Sequence, residues 1–272
     1  MELTRYTFTG QLVLKGALHI GSGSGGSLGS DQTVTDATVV RDSHGRAYIP
    51  GSSLRGVLRS AVYSYAPALF PDDRLGELYD DDEDREKNIR ERIESLDLAT
   101  SEVRLQELLD TWLTPAERLF GTVFWASPLL IPDLYPTKRD ANKPEPVLAG
   151  EVRHGVGIDR DTGAAREQVK YDFEVLPSGQ CFELLLRCEM PTACESTWTK
   201  LLALALRLLE QGEISLGGRL ARGVGQVELR DLRVYRLQLD RAGLRAALLA
   251  DGAARYGAPQ ADGWTRRTLE VD

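Results

Sequence analysis

The sequence predicts an α+β fold: an RRM-like or ferredoxin-like sandwich of two helices on an antiparallel-rich sheet, with a protruding β-hairpin and a helical insertion. Three observations predict it. Apolar residues alternate with a period of two within residues 6–20, 182–188 and 224–237, as in strands with one buried face. Two segments, 54–65 and 196–211, read as amphipathic helices. Their order along the chain (strand, loop, helix, strands, hairpin, strand, helix, strand) is that of a split βαβ arrangement, the layout of RNA-binding RRM domains.

The first strand carries Tyr6, Phe8, Leu12, Leu14, Leu18 and Ile20, with a kink expected near Gly16. Residues 21–30 form a Gly/Ser loop, and the β-branched residues 33–40 read as extended. Tyr48-Ile49-Pro50-Gly51 ends a strand, and Ser52 or Ser53 is the expected cap of the helix that follows, whose amides would face an anion held by the loop. Residues 71–112 read as a peripheral insertion, helical over 80–112, with an acidic start that suits a helix N-terminus. Arg118-Leu119-Phe120-Gly121 closes a short helix, residues 123–134 read as a strand, and Pro132, Pro136, Pro144 and Pro146 mark a loop. Residues 151–175 have extended flanks around the turn signal Asp159-Arg160-Asp161-Thr162-Gly163, which predicts the hairpin. The second long helix stops at Gly212. Past Asp240 a weak helix and then a polar coil are expected, so that residues 1–240 form one domain, with the insertion at 71–112 and the hairpin at 150–176, and residues 241–272 a C-terminal helix and tail.

The net charge of −8 argues at first against a polyanion as partner. Its distribution reverses that. Residues 72–86 hold nine acids against Arg74 and Arg85, so the rest of the chain is nearly neutral. Residues 41–59 carry four arginines against Asp42, and residues 216–236 five against Glu228 and Asp231. Local sign decides binding more than the total does. The acid run reads as a solvated face or a docking surface for a basic partner. The longest apolar-rich stretch, 201–209, contains Arg207 and is too short to cross a bilayer, so no membrane partner is expected. Met1-Glu2-Leu3-Thr4 lacks a basic start followed by an apolar run, so no signal peptide is expected. Three cysteines, Cys181, Cys188 and Cys194, are an odd, sparse set without zinc-site spacing; they fit packing roles and a reduced cytoplasmic setting.

Two glycine-rich segments carry the chemistry. One runs His19-Ile20-Gly21-Ser22-Gly23-Ser24-Gly25-Gly26; the other is Leu216-Gly217-Gly218-Arg219-Leu220-Ala221-Arg222-Gly223-Val224-Gly225. Glycine lets backbone amides approach a phosphate, and arginine forks onto its oxygens. The second segment runs into Arg222-Gly223-Val224-Gly225-Gln226-Val227-Glu228-Leu229, which has the spacing of an RRM strand motif. Val224, Gln226 and Leu229 stand where stacking rings belong, so contact through the backbone replaces base stacking there. Asp36, just past the first loop, is placed to position a divalent cation or a ribose 2′-hydroxyl, with a turn or capping role as the alternative; Asp31 is the rival acid. Asp42 reads as structural, satisfied by amides of the turn at 43–45. His19, His44 and His154 read as isolated, with His19 the best placed for chemistry. No Ser/His/Asp spacing, nucleotide P-loop or Cys/His metal set is present.

Taken together, Gly16-Ala17-Leu18-His19-Ile20-Gly21-Ser22-Gly23, Asp36-Ala37-Thr38-Val39-Val40-Arg41-Asp42, Ile49-Pro50-Gly51-Ser52-Ser53-Leu54-Arg55-Gly56, Arg118-Leu119-Phe120-Gly121 and the second glycine segment resemble, in that order, the RAMP superfamily. The likeness is greatest to the repeating backbone subunit of type III CRISPR effector complexes, and it spans roughly residues 5–237. It implies an RRM-like palm that grips guide RNA and a thumb hairpin, residues 151–175, that wedges into the guide–target duplex. Val156 and Ile158 would then separate bases while Arg160 and Arg166 touch phosphates. It implies RNA contacts by His19, Gly21, Ser22, Gly23, Arg41, Ser52, Ser53, Arg55, Arg59, Gly217, Gly218, Arg219 and Arg222. It further implies target-RNA cleavage at Asp36 with a divalent cation, Mg2+ or Mn2+, and no organic cofactor. Thr38 stands where many relatives have a proline. Implied partners are guide RNA, target RNA, other RAMP subunits, a large signature subunit and small helical subunits. A non-catalytic filament subunit is the alternative, and a guide-processing ribonuclease a third reading.

Overall fold

The computed structural model describes residues 2–21, 37–71, 74–76, 83–95, 111–123, 125–137, 148–161 and 163–270, the side chains of 83–86, 93 and 166–169 excepted. Three long central strands organise it. Strand β1 (Leu3–Leu14) pairs antiparallel with β5 (Cys181–Pro191) on one side and with β6 (Val227–Gln238) on the other. A two-residue strand, β2 (Leu129–Leu130), borders β5, and β7 (Ala258–Pro259) borders β6, giving the order β2-β5-β1-β6-β7. Strands β3 (Glu151–Ile158) and β4 (Ala165–Val175) form a separate hairpin. Without β7 and the hairpin, the order is that of the predicted split βαβ sandwich.

Alternation decides the faces. Phe8, Leu12 and Leu14 of β1 and Phe182, Leu184 and Leu186 of β5 are buried. They share one core with Leu54, Leu58 and Val62 of helix α1 (Gly51–Leu69) and with the leucines of helix α4 (Thr192–Glu210). Helix α4 buries nearly every residue from Trp198 to Leu209 and ends before Gly212, whose φ of +73° suits glycine. The short helix α3 (Pro115–Phe120) starts with a capping box between Thr114 and Glu117 and ends at Gly121, φ +89°. Cys188 is buried in the core, and Cys181 and Cys194 are half-buried; none of the three is bonded to another. No helix of the described residues is long and apolar enough to cross a membrane.

Four expectations change. Ser52 and Ser53 do not cap α1: Pro50 is its N-cap, and the amide of Gly51 donates instead to Asp133 Oδ1 at 2.9 Å. Gly51 lies so close to the passing chain that a Cβ would meet Ile131 O at 1.9 Å. The strand expected over 123–134 shrinks to Leu129–Leu130, since Pro128 and Pro132 bracket it and a proline cannot donate to a ladder. Within the insertion, helix α2 (Glu83–Glu94) ends at a turn and residues 111–112 are again helical; residues 96–110 lie outside the described set, and Ile89 and Leu113 form a small cluster of their own with Trp112 and Trp125.

The fourth change is the C-terminus. After helix α5 (Arg241–Leu249) the chain adds β7 to the sheet edge, and helix α6 (Trp264–Glu270) packs back on the core. Tyr256 rests against Tyr235, which the register places on the face of β6 opposite the helices, with ring centroids 5.6 Å apart. Trp264 lies edge-on to Phe8 on the helix side at 5.4 Å. The segment therefore wraps the sheet at β6 and covers a short stretch of its pairing edge, residues 234–236.

A polar knot ties β1, α4 and β6 together. Glu195, in the first turn of α4, accepts from Tyr6 Oη at 2.9 Å, from Arg236 Nε at 2.7 Å and from Thr4 Oγ1 at 3.2 Å. The Arg236 hydrogen bond, with help from Tyr6 and Thr4, outweighs partial burial and holds the Glu195 carboxyl below its ordinary value, while burial pushes the Tyr6 hydroxyl up to about 12.

Two outcomes follow for stability. Because the Glu195 value is depressed in the fold, its contribution is complete above about 4.5, the ordinary carboxyl value, and fades as pH falls through the depressed one. Glu195→Gln should flatten that acid limb in denaturant titrations run across pH. Trp264→Ala should lower unfolding free energy by roughly 2 kcal/mol as a partly buried ring is lost; no change in a urea midpoint would contradict a folded C-terminal wrap.

Candidate nucleic-acid interface

Register brings the two glycine segments together. The β1–β6 ladder ends at Leu14 opposite Val227, yet the chains stay paired beyond it. The amides of Lys15 and Gly16 donate to Gln226 O at 2.9 and 3.2 Å, the Gly225 amide to Ala17 O at 2.7 Å, and the Gly218 amide to His19 O at 2.9 Å. One glycine makes this approach sterically allowed, and another lets the second segment fold tightly on itself. A Cβ on Gly217, φ +80°, would sit 2.2 Å from His19 O, and one on Gly225, φ +96°, would sit 2.2 Å from Leu216 O.

His19 is 7% exposed and structural in its contacts. Its Nδ1 donates to Glu174 O at 2.7 Å, which places the proton on Nδ1 and turns Nε2 toward Gly21. Its ring stands edge-on to Phe173 of β4 at 5.8 Å. The same β4 edge carries the chain after the first loop: Ala37, which follows Asp36 in sequence, bridges Phe173 in parallel, and the Glu174 amide donates to Ala37 O at 2.9 Å. Asp36 itself, the rival Asp31, and Ser22 and Gly23 lie outside the described residues, as does the side chain of Arg166.

The arginines divide sharply. Arg41 is committed inward, donating to Gly45 O and Leu148 O at 3.0 Å each and to Glu174 Oε1 at 2.6 Å. It clamps the segment after Asp36 to β4, and a Cβ on Gly150 would collide with that same Glu174 carboxylate. Arg219 and Arg222 instead meet rings. Arg219 Cζ lies 4.1 Å from the Phe173 centroid and 5.3 Å from that of Tyr171, and Arg222 Cζ lies 4.9 Å from that of Tyr171. Tyr171 and Phe173 are themselves stacked, centroids 6.3 Å apart. Among the described residues neither arginine has a carboxylate partner. Arg219 holds a left-handed φ of +64°. That conformation costs a non-glycine residue on the order of 1–3 kcal/mol, which two cation–π contacts of about 0.5–2 kcal/mol each can offset.

The other expected contact residues are spread out. Ser52 is exposed, and Ser53, Arg55 and Arg59 are half-buried along α1; Arg59 lies over Tyr63 at 5.0 Å. No bond among the described residues joins these four to the turns. Arg160 is exposed at the hairpin tip, where Gly163 takes φ +65°. Val156 and Ile158 are 42% and 62% exposed on β3. His154 is not isolated: its Nδ1 lies 2.6 Å from Asp172 Oδ1 across the hairpin. Asp42 accepts from the amides of His44 and Arg46, as its turn demands. Val224 and Leu229 are buried in the palm, so the missing rings of the RRM-like motif are core positions.

The sequence reading missed Tyr171 and Phe173. Their i, i+2 spacing on a strand was visible, but their arginine partners come from about 50 residues away. A cleft of about 520 Å3, lined by Leu3, Arg118, Trp125, Leu130 and Trp198 among others, includes no residue of the turns. A polymer backbone needs an open track rather than a closed cavity, so the turns are the candidate interface. Among the described residues, the nearby acids Glu174 and Asp172 are already engaged, with Arg41 and His154 respectively. No group of three potential ligands gathers among the described residues.

The model of the RAMP superfamily matches residues 11–228, which span β1 from Gln11, the first glycine segment, α1, the hairpin, α4 and the second glycine segment. No curated protein matches the chain.

Gly217→Ala should lower stability by about 2 kcal/mol, from the positive φ and the blocked approach to His19. Gly218→Ala, whose nearest neighbour across the gap is His19 Cδ2 at 3.7 Å, should stay within about 0.5 kcal/mol of the parent. Equal losses in a denaturant series would contradict the convergence of the two turns.

Proposed function

Because this chain belongs to the RAMP superfamily, as a CRISPR-associated RNA-binding subunit, we propose that it is the guide-binding backbone subunit of a type III interference complex. The observation that carries the reading is that the chain entering the first glycine segment joins the second glycine segment beside a pair of arginines that have no carboxylate partner among the described residues. Guanidinium N–H groups suit phosphate oxygens, and such contacts do not read base identity. A subunit that must hold any guide sequence needs that indifference.

The exposed hairpin supports a wedge. Val156 and Ile158 present apolar surface that can insert between bases, and Arg160 at the tip can reach a phosphate. Splaying a nucleotide lets a ribose 2′-hydroxyl line up behind its own 3′-phosphate, a geometry that a regular duplex forbids. The 2′-oxygen then bonds to phosphorus as the bond to the 5′-oxygen breaks. The 2′-hydroxyl loses its proton and the departing oxygen gains one, leaving a 2′,3′-cyclic phosphate and a 5′-hydroxyl. Asp36 is the proposed acid at this step, taking the proton or holding a divalent cation, Mg2+ or Mn2+. DNA lacks the attacking hydroxyl and should bind without being cut.

The proposed partners are guide RNA, target RNA, further RAMP copies, a large signature subunit and small helical subunits, in the cytoplasm. Asp36→Ala, built into an assembled complex with matched target RNA, should abolish metal-dependent cutting and leave assembly intact. Unchanged cutting would remove Asp36 from the mechanism. Absence of cutting by the unaltered complex with every divalent metal tried would favour the non-catalytic filament subunit instead.

A further inference from the structure

We infer that Tyr171 and Phe173 are positioning residues for the RNA backbone: they hold Arg219 and Arg222 as a preset pair of forks for successive phosphates. This rests on the RNA-binding reading above and deepens it. An arginine paired with a carboxylate loses donors to it, as Arg236 gives Nε and Nη2 to Glu195. An arginine over a ring engages through its face and keeps its N–H donors and its full charge for oxygen acceptors. Both guanidinium carbons lie within 5.3 Å of one centroid, that of Tyr171, so the ring keeps two otherwise rotamer-rich side chains close together.

The hairpin is built to permit this. Tyr171 pairs with Gly155 across the β3–β4 ladder, and a Cβ on Gly155 would sit 2.2 Å from the Tyr171 ring. Gly155 has no positive φ to explain it, so its missing side chain is what lets the ring lie flat across the partner strand. Phe173 is buried at 4% exposure with Ala17 and Val175, which anchors the stack to the strand leading into the first glycine turn. One pair of rings thus fixes the arginines of the second turn and the base of the hairpin at once.

The test is fluorescence anisotropy of the full chain with a labelled, unstructured single-stranded RNA across a series of KCl concentrations. Tyr171→Leu should weaken binding about fivefold with an unchanged salt slope, because every charge remains while its placement is lost. Arg222→Ala should instead make the slope shallower by about 0.7, the loss of one phosphate contact to a single strand. Tyr171→Phe should bind like the parent, which a role for the hydroxyl would not allow. Gly155→Ala displaces the ring with both arginines intact, should weaken binding with an unchanged slope, and serves if Tyr171→Leu does not fold. Parental affinity in both Tyr171→Leu and Gly155→Ala, with Arg222→Ala still shallower, overturns the inference and leaves the RNA reading standing. Absence of salt-dependent binding by the unaltered chain overturns both.

Discussion

The pairing of β1 with β6 is the constraint on which the interface depends. Those strands are neighbours in the sheet, and their ladder continues past its formal end through the carbonyls of Gln226, Ala17 and His19. Turns about 200 residues apart in sequence are therefore forced together by the register of the core. The approach is closer than a side chain at position 217 allows, which is why Gly217 stands there. Loss of the register would separate the turns even if every arginine remained.

Charge placement follows from that frame. Many arginines of the chain are neutralised locally: Arg5 by Glu189, Arg41 by Glu174, Arg46 by Asp42, Arg230 by Glu228 and Arg236 by Glu195. Their work is cohesive, and exposed pairs of this kind contribute little each. Arg219 and Arg222 depart from the pattern by taking aromatic partners. An acidic protein can thereby keep a small region of unneutralised positive charge beside its glycine turns, with the acid run of residues 72–86 confined to the insertion at the far end of α1 in sequence.

Much of the fold was legible because it is local. Period-two alternation marked β1, β5 and β6, helical spacing with a glycine stop marked α4, and Asp-Thr-Gly marked the hairpin turn. What escaped is non-local. The partner of the Gly51 amide is Asp133, and no nearby serine announces it. The apolar run at 123–134 has strand composition, but its prolines leave a two-residue strand and an isolated bridge at Leu134. The C-terminal segment looks polar because one residue, Trp264, carries much of its docking. Of the site, the two glycine turns were readable from composition alone, whereas the rings beneath Arg219 and Arg222 belong to a different element. Arg41 shows the converse: an arginine in a positive stretch that the fold turns inward.

Hydrogen–deuterium exchange of the full chain with and without single-stranded RNA tests the central claim most directly. A backbone held by the joined turns should slow exchange together in peptides covering 216–225 and 17–21, with little change along β5. Protection confined to the sheet strands or to the insertion, with both turns exchanging as in the free protein, would contradict it.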